Sequence, residues 1–266
     1  MITIVPEGGL CNRMRSIASC YLLAQSACTS LRVKWYLTED LNCRFDDIFD
    51  VTGLPMQVEQ ATLRGRLSKL KVILQEQAGQ LFGTSHFGPA DTLPGKFPFS
   101  EVADIAQKRD ILIRTNSRLI KEDGMYNMFK PSAQVRDAMQ PYASKLEHSV
   151  GVHIRRTDNV QAIANSPISM FVEAMRSEME QHPDTAFFVA TDNADTFKFI
   201  QDEIGSAVYE HPKASYSRND PRAIKDAAVD LFALSSCRSL IGSYWSSFTD
   251  TAWELGNIPF VIIKGE

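Results

Sequence analysis

In the middle of this chain a buried run ends in two arginines, and that junction sets the chemistry open to it. Val150-Gly151-Val152-His153-Ile154 is apolar or small apart from one histidine, and Arg155-Arg156-Thr157-Asp158-Asn159 follows at once. The first five residues read as a buried strand. Side chains alternate along a strand, so an extended continuation places His153 and Arg155 on one face and Ile154 and Arg156 on the other. The carboxyl ends of parallel strands are where open α/β sheets bind ligands, and the fork of an arginine matches a phosphate. The same residues also suit a strand leaving the core through a basic turn, with Arg155 and Asp158 as a surface ion pair.

Three other stretches carry chemistry-bearing types. Glu7-Gly8-Gly9-Leu10-Cys11-Asn12-Arg13 lies between a strand and a helix. Its glycines let backbone approach a ligand, and helix-start amides with Arg13 favour an anion; a plain tight turn with Asn12 as N-cap fits equally. It is neither a Walker loop nor a GxGxxG fingerprint. Asp230, in Asp226-Ala227-Ala228-Val229-Asp230-Leu231-Phe232, sits among apolar residues. A buried carboxylate needs donors, and the two-donor edge of guanine is one source; the alternative is a carboxylate on the solvent face of a helix. Finally, Gly242-Ser243-Tyr244-Trp245-Ser246-Ser247-Phe248-Thr249-Asp250 takes a strand into a helix whose first serine precedes an aspartate by three, as in a capping box. Its hydroxyls and amides would make a second phosphate cradle. Asp46-Asp47-Ile48-Phe49-Asp50 reads as an acidic helix start, not a metal site, and no metal cluster is expected. Thr191-Asp192-Asn193 follows a buried strand and suits either the same cleft or a helix cap.

The elements that must position these residues alternate. Residues 1–5, Val33–Leu37, Ile111–Arg114, the His153 run, Ala186–Thr191, Ala207–Tyr209, Ser239–Gly242 and Pro259–Ile263 read as strands. Helical patterns fall at 12–28, 44–49, 61–81, 131–145, 168–180, 194–203, 221–236 and 247–255. Such βα alternation predicts parallel sheets covered on both faces. Residues 83–98 read as the most mobile stretch and 122–130 as a linker, which puts a domain boundary near 130 and two domains at 1–130 and 131–266. A net charge of −4 gives no reason to expect nucleic acid or an anionic membrane as partner. There is no apolar run of the roughly 18 residues that a membrane span needs. The five cysteines form no CxxC, a pattern that fits reduced thiols and a cytoplasmic protein.

Taken together, Gly8–Arg13, His153–Asp158 and Asp230 through Phe248 resemble the fucosyltransferase superfamily of α-1,6-fucosyltransferases, nodulation-factor fucosyltransferases and protein O-fucosyltransferases. The resemblance spans the chain as three motifs with loose spacing between them. It implies an α/β fold of two Rossmann-like domains facing a cleft (GT-B type), with an acceptor side in the first and nucleotide sugar on the second. It implies an inverting transfer of L-fucose from GDP-fucose to a carbohydrate or other hydroxyl acceptor, with no cofactor and no metal. Arg155 would act on the β-phosphate as the catalytic residue. His153 and Asp230 would hold the guanine nucleoside, and Ser246, Ser247 and Phe248 the diphosphate and base. Gly8, Gly9, Asn12 and Arg13 would face the cleft; Arg156 and Asp158 complete the binding set. Glu7 is the candidate base for the acceptor hydroxyl. A different nucleotide sugar, or a non-catalytic nucleotide- or sugar-binding protein on the same fold, are the alternatives. Residues around Asp46 and 61–100, where an acceptor would bind, match no motif of the superfamily.

Overall fold

The computed structural model describes residues 1–63, 66–81 and 83–265. Two compact units divide the chain: Met1–Ser132 with Ser217–Ile224, and Ala133–Tyr216 with Lys225–Glu266.

The first unit contains β1 (Ile2–Pro6), α1 (Leu10–Ser26), β2 (Leu31–Leu37), α2 (Phe45–Ile48), β3 (Gln57–Thr62), α3 (Arg66–Leu81), β4 (Ser85–Phe87), α4 (Phe99–Lys108) and β5 (Ile111–Thr115). Its sheet runs β3-β2-β1-β5-β4, and every pairing is parallel. β1 is central because Ile2, Ile4 and Val5 are all buried, whereas the edge strand β3 is largely exposed. That exposure explains why β3 is absent from the sequence reading. Gln57-Val58-Glu59-Gln60-Ala61-Thr62 is polar, and an edge strand needs little apolar content. The helical pattern expected from 61 begins instead at Arg66. Arg64 and Gly65, within that expectation, lie outside the described residues. β4 and α4 are further additions. The stretch 122–130 is not a free linker: Met125, Tyr126 and Phe129 are buried, Phe129 sits 5.0 Å from Phe49 ring to ring, and Pro131 forms an antiparallel bridge with Phe49. The segment Ser217–Ile224 is tied to this unit through Asn42, whose Nδ2 donates to the Asn219 carbonyl at 2.8 Å.

The second unit contains α5 (Ala133–Met139), α6 (Ala143–Leu146), β6 (Ser149–Ile154), α7 (Val160–Asn165), α8 (Ile168–Gln181), β7 (Ala186–Thr191), α9 (Ala194–Ile204), β8 (Val208–Tyr209), α10 (Pro221–Ser235, whose first four residues belong to the first unit), β9 (Ser239–Ser243), α11 (Ser247–Gly256) and β10 (Phe260–Ile263). The helix expected over 131–145 is broken by a 3-10 turn at Gln140–Tyr142, where Pro141 denies an α-helical hydrogen bond. The sheet order is β10-β9-β6-β7-β8, again parallel throughout. β6 is buried along its whole length, and Val150, Val152 and Ile154 pack with Phe171, Met175, Phe187 and Val189. Each such side chain contributes about 1.5–3 kcal/mol of burial free energy. The chain enters this sheet at β6 and fills one side through β7 and β8 before returning to the other with β9. The switch point therefore lies between β6 and β9, where doubly wound sheets bind ligands. The fold is α/β, with two parallel-sheet domains of the Rossmann-like type.

Candidate functional site

At the switch point β6 and β9 run in register with His153 opposite Gly242. The backbone N–H of Arg155 donates to Ser243 Oγ at 3.0 Å, and that hydroxyl donates to the His153 carbonyl at 3.3 Å. The guanidinium of Arg155 is ion-paired with two carboxylates. Its Nη1 lies 3.1 Å from Asp192 Oδ2, and its Nη2 donates to Asp158. Arg155 is mostly buried with its side chain 18% exposed, Asp192 is similar at 20%, and Asp158 is half in solvent at 52%. Asp192 also accepts from the backbone N–H groups of Arg156 at 2.7 Å and Thr157 at 3.2 Å. It stands at the end of β7, the strand paired with β6, and so fixes the loop that carries Arg155. Arg156 points elsewhere. Its Nη2 donates to the Ser166 carbonyl at 2.6 Å and its guanidinium lies 5.9 Å from the Phe171 ring.

His153 is buried and stacks on Phe248, with ring centroids 4.7 Å apart. Its Nδ1 is 2.7 Å from Thr249 Oγ1. Burial and, secondarily, the Arg155 charge pull its pKa down to about 3, against a weaker opposing pull from Asp192, so the imidazole is neutral at pH 7. This contact requires Gly242: a Cβ there would overlap the Thr249 side chain. A second glycine, Gly256, does the same at the other end of α11, where a Cβ would overlap the Ser235 carbonyl at the end of α10. The helix start differs from the capping box expected at Ser247. The N-cap is Ser246, and its side chain makes no capping hydrogen bond. The first amides of α11 thus have no serine cap, while Asp250 lies in the first turn. Trp245 precedes them in a left-handed conformation (φ 55°), with its carbonyl accepting from Asn159 Nδ2 at 2.8 Å.

Asp230 is not on a solvent face. It is buried, and Lys213 Nζ donates to its Oδ1 at 2.8 Å, with both side chains 6% exposed. Burial, outweighing the attraction of Lys213, pushes the Asp230 carboxyl up to about 6. Leu234, one turn on, packs so closely against Gly151 of β6 that a Cβ there would sit 2.9 Å from its Cδ2. α10 meets β9 through only three residues and so runs antiparallel to the strands. Asp230, on the same helix face as Leu234, therefore lies one turn nearer the strands' carboxyl ends. Asp226, a further turn on, accepts from the Ala214 N–H at 2.7 Å and faces His211 Nε2 at 3.2 Å.

In the first unit, α1 starts two residues earlier than expected. Gly9, not Asn12, is its N-cap, and Asn12 lies inside the helix. Gly8 has φ +77°, a conformation that favours glycine, and a Cβ there would approach Asn12 Nδ2 to 2.9 Å. Arg13 is 1% exposed. Its Nε donates to the Gly8 carbonyl at 2.9 Å, Nη1 to the Tyr36 carbonyl at 2.6 Å and Nη2 to Thr38 Oγ1 at 3.0 Å, with the guanidinium 4.7 Å from the Trp35 ring. Burial lowers its pKa to about 10, which leaves it charged. Glu7 Oε1 accepts from Arg114 Nη1 at 2.9 Å.

The second unit thus brings together His153, Arg155, Asp158, Ser246, Ser247 and Phe248 at one sheet end, with Arg156 turned aside. Asp230 approaches the same end from α10, and Gly8, Gly9, Asn12 and Arg13 belong to the first unit. Sequence alone points to no role for Lys213, holds Ser243 and Thr249 only as members of the Gly242–Asp250 stretch, and leaves Asp192 undecided. The one available signal was Asp192, a carboxylate directly after a buried strand. Among the described residues no cluster of His, Cys, Asp or Glu could hold a metal ion, and no helix is long and apolar enough to cross a membrane.

This topology is that of a fucosyltransferase-like fold. No family model and no curated protein sequence matches the chain. Among solved structures, NodZ α-1,6-fucosyltransferase soaked with GDP-fucose aligns with TM-score 0.64 at 16% identity, covering 100% of this chain and 97% of that one. A mutant of Arabidopsis thaliana FUT1 in complex with GDP gives 0.66 at 14% identity, covering 100% and 70%. POFUT1 in complex with GDP gives 0.56 at 13% identity, covering 98% of each chain.

Proposed function

We propose that this protein is an inverting glycosyltransferase that transfers L-fucose from GDP-fucose to a carbohydrate or other hydroxyl acceptor. The observation that carries the reading is Arg155, fixed at the switch point by Asp192 and Ser243, beside a helix start without a serine cap. The acceptor oxygen attacks the anomeric carbon as the bond to the diphosphate breaks, and the electron pair passes to the departing β-phosphate. Charge grows on that phosphate, and a preorganised guanidinium with helix-start amides lowers the barrier there. Asp158, the more exposed carboxylate on Arg155, gives way to the phosphate, while Asp192 stays as the positioning residue. Neutral His153 and Phe248 supply a flat wall for the base, and Asp230 accepts from the guanine edge. The acceptor's proton passes to a general base or to solvent. The neighbours named in complex with GDP or GDP-fucose support this choice of donor.

Thermal unfolding with nucleotides tests the reading. GDP raises the melting temperature, while UDP and ADP at the same concentration raise it far less. Equal shifts from all three overturn a guanine-reading Asp230, and GDP binding without transfer or donor hydrolysis reduces the protein to a binding module.

A further inference from the structure

We propose that Lys213 is a second base-reading group, donating a hydrogen bond to the 6-oxo group of the guanine whose N1–H and 2-amino group Asp230 accepts. This rests on the guanine-nucleotide reading above and adds a specificity residue to it.

A count of donors and acceptors supports the assignment. A lysine ammonium has three N–H donors and no acceptor. One reaches Asp230 Oδ1 at 2.8 Å and a second the His211 carbonyl at 2.6 Å. The third has no acceptor among the described residues. Asp230 is half used in the same way, since Oδ1 is taken and Oδ2 has no partner among the described residues. An open donor thus lies beside an open acceptor in a pair whose side chains are both only 6% exposed, so the pair offers a bound base a donor and an acceptor side by side. Guanine completes it, because its edge presents an acceptor at position 6 next to donors at positions 1 and 2. Adenine presents the reverse order, and would set its 6-amino group against the ammonium.

The surroundings hold Lys213 in place. The His211 carbonyl anchors it from its own segment, and Asp226 fixes that segment through the Ala214 amide and His211. Glu210 adds negative charge nearby, and its Oε2 is buried without a hydrogen-bond partner.

The test uses dissociation constants for GDP, IDP and 6-thio-GDP on the whole protein. Sulfur is a far weaker acceptor than oxygen, so 6-thio-GDP weakens only the contact assigned to Lys213. IDP lacks the 2-amino group and reports on Asp230. Wild type should prefer GDP to 6-thio-GDP by about tenfold. In Lys213→Met that ratio should fall to within about twofold of unity while the preference for GDP over IDP persists. Lys213→Gln keeps an amide donor and leaves Asp230 a partner. It should fold as wild type does and show an intermediate ratio. If Lys213→Met weakens GDP and 6-thio-GDP in equal proportion, leaving the ratio unchanged, Lys213 only balances the charge of Asp230 and the proposal is overturned. If Lys213→Met does not fold, an unchanged ratio in Lys213→Gln overturns it equally. Wild type that shows no preference for GDP over UDP removes the guanine reading itself, and this assignment with it.

Discussion

Each unit of this protein carries an arginine at the junction after its first strand, Arg13 in the first turn of α1 and Arg155 directly after β6, and the two have opposite fates. Arg13 is sealed in the first unit, where it donates to two carbonyls and a hydroxyl. Arg155, at the end of β6, is partly open and its partners are two carboxylates. A guanidinium that satisfies buried neutral acceptors cannot leave them without orphaning them, so its role is to hold a loop. A guanidinium paired with carboxylates can exchange one anion for another at modest cost, especially where one carboxylate is half in solvent. What the partners of an arginine carry, more than its place at a strand end, separates scaffold from site.

The largest effect expected from this contrast is on turnover. Arg155→Ala should lower transfer by about 10³-fold, the scale for removing a preorganised donor from developing charge. Its melting temperature should stay close to wild type. Turnover near that of wild type would take Arg155 out of the mechanism. Next comes Arg13→Leu, which should destabilise the protein by about 3 kcal/mol in denaturant unfolding, because buried acceptors lose their donors. A loss below about 0.5 kcal/mol would erase the distinction between the two arginines.

A smaller effect is read against pH. His153 titrates at about 3 in the folded protein, below its ordinary value of 6.5. The unfolded chain therefore takes up the proton first, and the stability due to neutral His153 is present above pH 6.5 and lost as pH falls toward 3. Between pH 7 and pH 5 this amounts to about 2 kcal/mol. Asp230 acts in the opposite sense: its folded pKa, about 6, exceeds the ordinary 3.8, so its contribution declines as pH rises through that window. Comparing wild type with His153→Gln across pH cancels the Asp230 part and isolates the histidine. Parallel pH profiles for the two proteins would contradict a buried neutral imidazole. Smallest of all, Ser246→Ala should cost less than about 0.5 kcal/mol, against about 1 for a serine that caps its helix. A larger loss would mean that the hydroxyl caps α11 in solution.

The sequence exposes the parallel strands because they are buried on both faces and read as apolar runs: β1, β6, β7 and β9 all do so. It hides β3, whose residues are polar because an edge needs no second face. It hides the linker's packing too, since Met125, Tyr126 and Phe129 are only three apolar residues without period. At the candidate site, the placement of residues borne on strand ends is legible from type and position, as with His153 and Arg155. Their partners are not. Asp192 is 37 residues from Arg155 along the chain, and Lys213 comes from an irregular segment with no period to announce which way its side chain turns. Arg13 shows the converse. Its position beside two glycines suggests an anion, and only the carbonyls of Gly8 and Tyr36 reveal where its donors go.

Gly256 lets α11 rest directly on the backbone at the end of α10, and Gly242 does the same between α11 and β9. The helix bearing Asp230 and the helix that begins at Ser247 therefore pack in close backbone contact. On the function proposed above, such a pair would work as a caliper, with one jaw for a base and the other for a diphosphate. A guanine nucleoside alone, or inorganic pyrophosphate alone, would touch a single jaw and gain little. On that reading, selectivity for the length of the ligand would follow from two missing methyl groups.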